Sequence, residues 1–333
     1  MAQVILFLQQ LLNGLSLGSI YALIALGYTM VYGVLRFINF AHGDVYMLGA
    51  YAGFAITNLL YLFIPLDQFS AISRHTFVPI FLCTGIVMLG AMIFCAFLGV
   101  AIERIAYRPL RNSPRLTVLI TAIGVSLFLQ NMTQFFVGAQ PLAFKQLIPV
   151  RAIEGLGDLT VLSSQAAIIV STIVLMVVLR FVIMKTKLGL AMRALSVNPT
   201  ACSLMGVNNG LVISFTFALG SALAAAAGIL VAMDSPSINP LMGNLPGIKA
   251  FVAAVLGGIG NITGAVVGGL IIGILETLVV GYSNDLANWF PFLHTLFPDG
   301  LSQLRDAIAF AVLIVILLFK PTGILGRVER EKV

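Results

Sequence analysis

The stretch FINFAHGDVYMLGAY, residues 37–51, sets Asn39, His42 and Asp44 close together in a strongly apolar setting. An imidazole beside a carboxylate is the smallest unit that could serve as a general base or begin a metal site. Either role needs further partners. The chain has only three histidines, His42, His75 and His294, and neither an HExxH motif nor a His/acid cluster beyond His42 and Asp44. No catalytic and no metal-ligating residue is therefore assigned, and an intramembrane hydrolase built on this pair lacks its nucleophile. Two readings stay open. Asp44 can cap a helix that begins at Val45, with Gly43 supplying the turn before it. Alternatively, Asn39, His42 and Asp44 line a substrate path.

Two further features carry chemistry. Glu276, in GGLIIGILETLVV, is a carboxylate inside an apolar run, which makes it a functional candidate by default. It can equally be protonated, hydrogen-bonded within a bundle, or close enough to an interface to reach water. The glycines of LGGIGNITG, with Gly257, Gly258, Gly260 and Asn261, resemble a dinucleotide loop only superficially, because no amphipathic strand precedes them. The chain contains no GxxxxGK[ST] and no Gly–Lys pair, so it is not expected to hydrolyse ATP itself or to hold a cofactor.

The elements that must position these residues are membrane helices. Hydrophobic residues make up 60% of the 333 and charged residues 9%, too few charges to cover a soluble fold of this length. Continuous apolar runs recur about eight times at roughly the 20 residues a spanning helix needs. They do not alternate as barrel strands do. Spans are expected near 4–33, 45–64, 77–100, 117–137, 165–184, 211–232, a Gly-rich tract at 249–281, and 304–319. The N-terminus lacks the basic region of a signal peptide, so the first helix is expected to remain. Cys83, Cys95 and Cys202 lie far apart without a CxxC and read as packing residues.

The net charge of +6 comes from 18 basic against 12 acidic residues and reflects orientation rather than nucleic-acid binding. Basic residues concentrate in 101–116, in 185–210 and in the tail from Lys320, which the positive-inside rule assigns to the cytoplasm. Trp289, with Tyr282, Phe290 and Phe292, suits the opposite interface. An even number of crossings must then separate 185–210 from the tail, yet three candidates lie between them. A tract that enters partway, turns at 257–261 and exits resolves the count, and broken helices of this kind line transport pathways. A weak internal repeat agrees: Leu17-Gly18-Ser19 and Leu219-Gly220-Ser221 each open an apolar run that ends at an Ile-Asn pair. The copies would cover about 1–137 and 200–320 of a single transmembrane domain, in inverted orientation. Rows of small residues, such as Gly14, Gly18 and Ala22, allow close helix packing and mark a bundle.

The basic segment at 185–210 holds a compact signal. Asn198 is a good N-cap, Pro199 suits the first helical position, and Thr200, Ala201 and Leu204 fall in a short helix that Gly206 closes. It is either a docking knob for a cytoplasmic partner or an ordinary interfacial helix.

Three motifs in order, INFAHGDVYMLGAYAG, TKLGLAMRALSVNPTACSLMGVN and LGGIGNITGAVVGGLIIGILE, resemble the inner-membrane permease of bacterial branched-chain amino-acid ABC transporters. The resemblance covers nearly the whole chain and is nearest the H-type of the two permease subunits. Only the outer loop around 62–76 departs, being longer than expected. The resemblance implies an all-α polytopic bundle in the inner membrane with a cytoplasmic C-terminus. It also implies a homologous second permease as heterodimer partner, two cytoplasmic ATP-binding subunits, and a periplasmic binding protein that delivers leucine, isoleucine or valine. Residues 198–206 then correspond to the segment that docks on the ATPase. Similar motifs occur in permeases for urea and short amides. An ion-coupled transporter, with Asp44 or Glu276 carrying a proton, is the rival of a different class.

Overall fold

The computed structural model describes residues 2–63, 78–111, 113–145, 152–153, 159–283 and 304–326. The expected aromatic girdle at Trp289, Phe290 and Phe292 and most of the 62–76 loop lie outside them. The architecture is an all-α bundle. Its long helices are α1 (Ala2–Leu35), α2 (His42–Phe63), α3 (Val78–Ile102), α4 (Arg115–Val137) and α5 (Ser163–Lys185). Two short helices, α6 (Lys187–Val197) and α7 (Pro199–Leu204), precede α8 (Asn209–Asp234), α9 (Asn244–Gly257), α10 (Ile262–Gly281) and α11 (Leu304–Phe319). Among the described residues, seven helices are long and apolar enough to cross a membrane. The 14-residue α9 and the 16-residue α11 are shorter.

The most buried helices are α1 and α8, and their sequences explain why. Small residues crowd the α8 stretch GSALAAAAG and recur in α1 as Gly14, Gly18, Ala22 and Gly27. Backbones then approach closely, the main source of packing energy where lipid is as apolar as the protein. A methyl group on Gly18 would lie 2.8 Å from the Leu270 Cα, and one on Gly273 2.3 Å from the Gly18 Cα. Gly14 meets Ile274 while Gly33 meets Gly260, so α1 and α10 run antiparallel. Gly49 meets Ala225 and Gly53 meets Ile229, so α2 and α8 run parallel.

One end of the bundle collects all three basic segments. Arg36 Nη2 at the end of α1 donates to the Ser196 carbonyl at 3.4 Å. The Ser214 hydroxyl in α8 donates to Glu103 at 2.6 Å, and Glu103 also pairs with Arg111. The tail folds back on the end of α9: Ile324 N–H donates to the Leu256 carbonyl at 2.8 Å and Leu325 N–H to that of Gly257 at 3.1 Å. At the other end, Leu142 and Ala143 pair antiparallel with Ile238 and Ser237. Gln9 there exchanges hydrogen bonds with the backbone of Thr160.

Two expectations about boundaries need revision. The Gly-rich tract is two helices, with Gly258 and Gly260 at φ +101° and +92° forming the turn. The turn lies at the basic end beside Gly323, whereas a partial entry would leave it short of that end. The helix preceding the turn begins earlier than expected, at Asn244. The second revision concerns α2, which starts at His42. Asp44 therefore occupies its first turn instead of capping a helix that begins at Val45. The chain has room for that earlier start because Asn39 closes the turn itself, its carbonyl accepting from His42 N–H at 3.1 Å.

Candidate functional site

Helices α2 and α9 both begin inside the bundle, and their first turns touch. The sequences leading into them match position by position: INFAHGD at 38–44 and INPLMGN at 238–244. Their backbone bonding matches as well. His42 N–H donates to Asn39 and Asp44 N–H to Ala41; Met242 N–H donates to Asn239 and Asn244 N–H to Leu241, each at 3.1 Å. Gly43 and Gly243 abut, so that a methyl on Gly43 would sit 2.6 Å from the Gly243 oxygen, and one on Gly243 2.1 Å from the Gly43 oxygen. The His42 ring lies over Gly27, eight residues before the end of α1, which is roughly 12 Å deep at 1.5 Å per residue. Each helix N-terminus carries a partial positive charge. Two of them meet here away from the bundle ends, as in transporters built on discontinuous helices.

Polar side chains surround this meeting point. The Gln130 amide, from α4, donates to Asp44 Oδ1 and to Asn244 Oδ1, both at 2.8 Å. It thus bridges the first turns of the two helices. Asp44 is buried, and its carboxylate sits where it complements the α2 dipole. His42 is buried with its ring 4.7 Å from that of Tyr28 in an edge-to-face contact. Asn39 Oδ1 accepts from the Tyr107 hydroxyl at 2.6 Å, and Tyr107 stacks between Phe37 and Phe217. Asn39, His42 and Asp44 are therefore brought together, each with its own neighbour.

The glycines proposed alongside them lie elsewhere, at the basic end. Gly257 packs backbone to backbone on Gly264, closing the α9–α10 hairpin, while Gly258 abuts Gly323 and Gly326 of the tail. Asn261 caps α10, accepting from Gly264 N–H at 3.2 Å, and donates to the Leu325 carbonyl at 2.8 Å. A methyl group on Gly260 would lie 3.9 Å from the Gly33 Cα, an ordinary contact.

Glu276 is not alone. Its carboxylate accepts from the Tyr21 hydroxyl at 3.0 Å and from Lys249 Nζ at 2.8 Å, and it pairs with Arg305. Lys249 reaches Asp306 at 2.6 Å as well. Four helices, α1, α9, α10 and α11, thus meet on two acids and two bases of zero net charge. Sequence reasoning found Glu276 and missed both cations. Lys249 reads as the edge of an apolar tract, since nothing local reveals that α9 begins five residues earlier.

The short α7 has the geometry its sequence demands. Asn198 Oδ1 accepts from Ala201 N–H at 3.0 Å, Pro199 opens the helix, and Gly206 closes it at φ +80°. Asn209 Nδ2 ties α7 to α8 by donating to the Pro199 carbonyl at 2.9 Å. Leu204 and Met205, each 83% exposed, project from it.

Residues 10–317 match the family described as branched-chain amino acid transport system, permease component. The chain belongs to this family. It is 42% identical over 99% of both chains to the high-affinity branched-chain amino acid transport system permease protein LivH of Salmonella typhimurium. It is 42% identical over the full length of both chains to BraD of Pseudomonas aeruginosa, a permease protein of the same description. Against the probable branched-chain amino acid transport permease LivH of Methanocaldococcus jannaschii the identity is 29%, over 92% of this chain and 89% of that one. No solved structure matches it. Membership agrees with the architecture, a multi-pass helical bundle.

Proposed function

We propose that the protein is the H-type permease subunit of an ABC importer for leucine, isoleucine and valine, resident in a bacterial inner membrane. The observation that carries this reading is full-length membership of a branched-chain amino-acid permease family, at 42% identity to two high-affinity transport permeases. The chain lacks a phosphate-binding loop, so the energy comes from partners: two ATP-binding subunits on the cytoplasmic side. A homologous second permease completes the path, and a periplasmic binding protein delivers the substrate. The basic end of the bundle, with the C-terminal tail, faces the cytoplasm. There the exposed α7, from Asn198 to Gly206, docks on the ATPase.

In this mechanism ATP closes the ATPase dimer and pushes α7, which is fixed to α8 through Asn209. Helix α8 then shifts against α1 and α2, and the bundle opens outward to receive substrate. Hydrolysis resets it. The chain is an inverted repeat over about 1–137 and 200–320. What supports this is the matched bonding of 38–44 and 238–244 and the opposite direction of α1 and α8, whose Gly27 and Gly220 pack together. The touching first turns at Gly43 and Gly243 make the natural pivot, and Asn39, His42 and Asp44 border the path beside it.

Reconstitution with the partner subunits tests the reading. ATP-driven uptake of leucine is expected, with no uptake by the lone chain under a proton gradient. Gradient-driven uptake by the lone chain, or ATP-driven uptake of urea in place of leucine, overturns it. A charged residue at Ala201 is expected to abolish uptake while the chain still inserts; normal uptake by that variant removes α7 from the coupling role.

A further inference from the structure

We propose that Lys249, Glu276, Arg305 and Asp306, with Tyr21, form a binding site for the charged backbone of a free α-amino acid, which the four side chains close by pairing with one another. This rests on the importer reading above. A buried ion network is a poor way to hold helices together. Desolvating Lys249 and Glu276 is costly, and apolar packing of similar volume serves stability as well or better. Ionisable groups inside a membrane bundle are instead the usual mark of a substrate route.

The arrangement fits one ligand class. A free amino acid at neutral pH is a zwitterion, carrying a carboxylate and an ammonium group on adjacent atoms. Its carboxylate can replace Asp306 beside Lys249, while its ammonium takes the place of a cation at Glu276. The exchange moves no net charge into the bundle, because both site and ligand are neutral overall. A purely anionic or cationic ligand leaves one desolvated charge without a partner and is rejected. The Tyr21 hydroxyl, already 3.0 Å from Glu276, supplies a further hydrogen bond at the floor.

The site also has a way in. The side chains of Arg305 and Asp306, on α11, are 48% and 45% exposed, whereas those of Lys249 and Glu276 are 5% and 1% exposed. The rim is thus carried by α11 and the charged part of the floor by α9 and α10, so displacing α11 from them uncovers the floor and frees its charges together. Both rim residues lie at the start of α11, the end away from the tail. In the orientation proposed above, that is the side from which substrate arrives.

The test compares leucine uptake by reconstituted transporters, with copurification of all subunits as the measure of assembly. Arg305→Gln keeps both bonds of Lys249 and leaves the site net negative. The complex is expected to assemble and uptake to fall by about tenfold, less than loss of a fully desolvated partner would cause, because Arg305 is half-exposed. Arg305→Lys restores the charge and is expected to return uptake to within about twofold of the parent. Parental uptake by R305Q overturns the site, as does failure of R305K to rescue. Should R305Q not assemble, the double variant Lys249→Met with Glu276→Gln removes the buried pair together and leaves only the half-exposed Arg305 and Asp306 without those partners. It is expected to assemble and to lose uptake. Parental uptake by it, or failure of both variants to assemble, makes the cluster structural and overturns the proposal. Absence of ATP-driven leucine uptake by the unsubstituted transporter refutes the importer reading itself.

Discussion

Residues 38–44 and 238–244 make the same turn with different chemistry. Both open on Ile-Asn, both close a turn on the asparagine carbonyl, and both start a helix beside a glycine. The first copy then buries His42 and Asp44, while the second has Met242 and an exposed Asn244 at the equivalent places. The second copy carries its charge one turn further on, at Lys249, against Glu276. Backbone geometry is therefore held constant where the two turns touch, and side-chain chemistry is free to diverge around it. The contact demands glycine on both sides; the polar groups define what each side does.

The sharpest way to break the comparison is at that contact. Valine at Gly243 places a branched side chain against the Gly43 backbone, where even a methyl group would stand 2.1 Å from the carbonyl oxygen. Neither backbone can retreat, since α2 is held by α8 and α9 by α10. Gly243→Val is expected to cost about 3 kcal/mol or more. Thermal unfolding in detergent measures it, with Gly33→Ala as the control, because a methyl there meets nothing nearer than 3.7 Å. Equal stability of the two variants would mean the turns do not pack as described.

How much of this was legible depended on distance along the chain. The α7 cap was readable because Asn198, Pro199 and Gly206 act within nine residues of one another and through local backbone bonds. The multi-pass helical architecture was readable from composition and run length. Glu276 was conspicuous as a lone acid, but its cations stand 27 and 29 residues away, joined only by helix packing. The start of α2 was misjudged by three residues. Asp44 has the chemistry of a cap, and Gln130, the partner that holds it, lies 86 residues further on. The Ile-Asn pairs at 38–39 and 238–239 stand in the sequence, whereas the bond that Asp44 and Asn244 share through Gln130 does not.

A milder break separates the polar halves. Gln130→Leu removes the donor that serves both Asp44 and Asn244. Asp44 is buried, so its carboxylate loses a bond it cannot replace with water. The expected loss is about 2 kcal/mol, read by the same unfolding measurement. Gln130→Glu should be no better, since it sets a second carboxylate against the first. Wild-type stability in Gln130→Leu would show that Asp44 is satisfied without it.

The smallest effect is expected on the second side of the bridge. Asn244→Ala also breaks a bond to Gln130, but Asn244 is exposed and Gln130 keeps Asp44 as its acceptor. No buried group is orphaned, so the change should stay within about 0.5 kcal/mol. The two variants remove opposite ends of one bond, so the cycle that combines them isolates that bond. If Asn244→Ala costs as much as Gln130→Leu, the bridge acts as one unit and both turns depend on it equally. If it costs almost nothing, Gln130 belongs to Asp44 alone, and the second turn holds its place without the bridge.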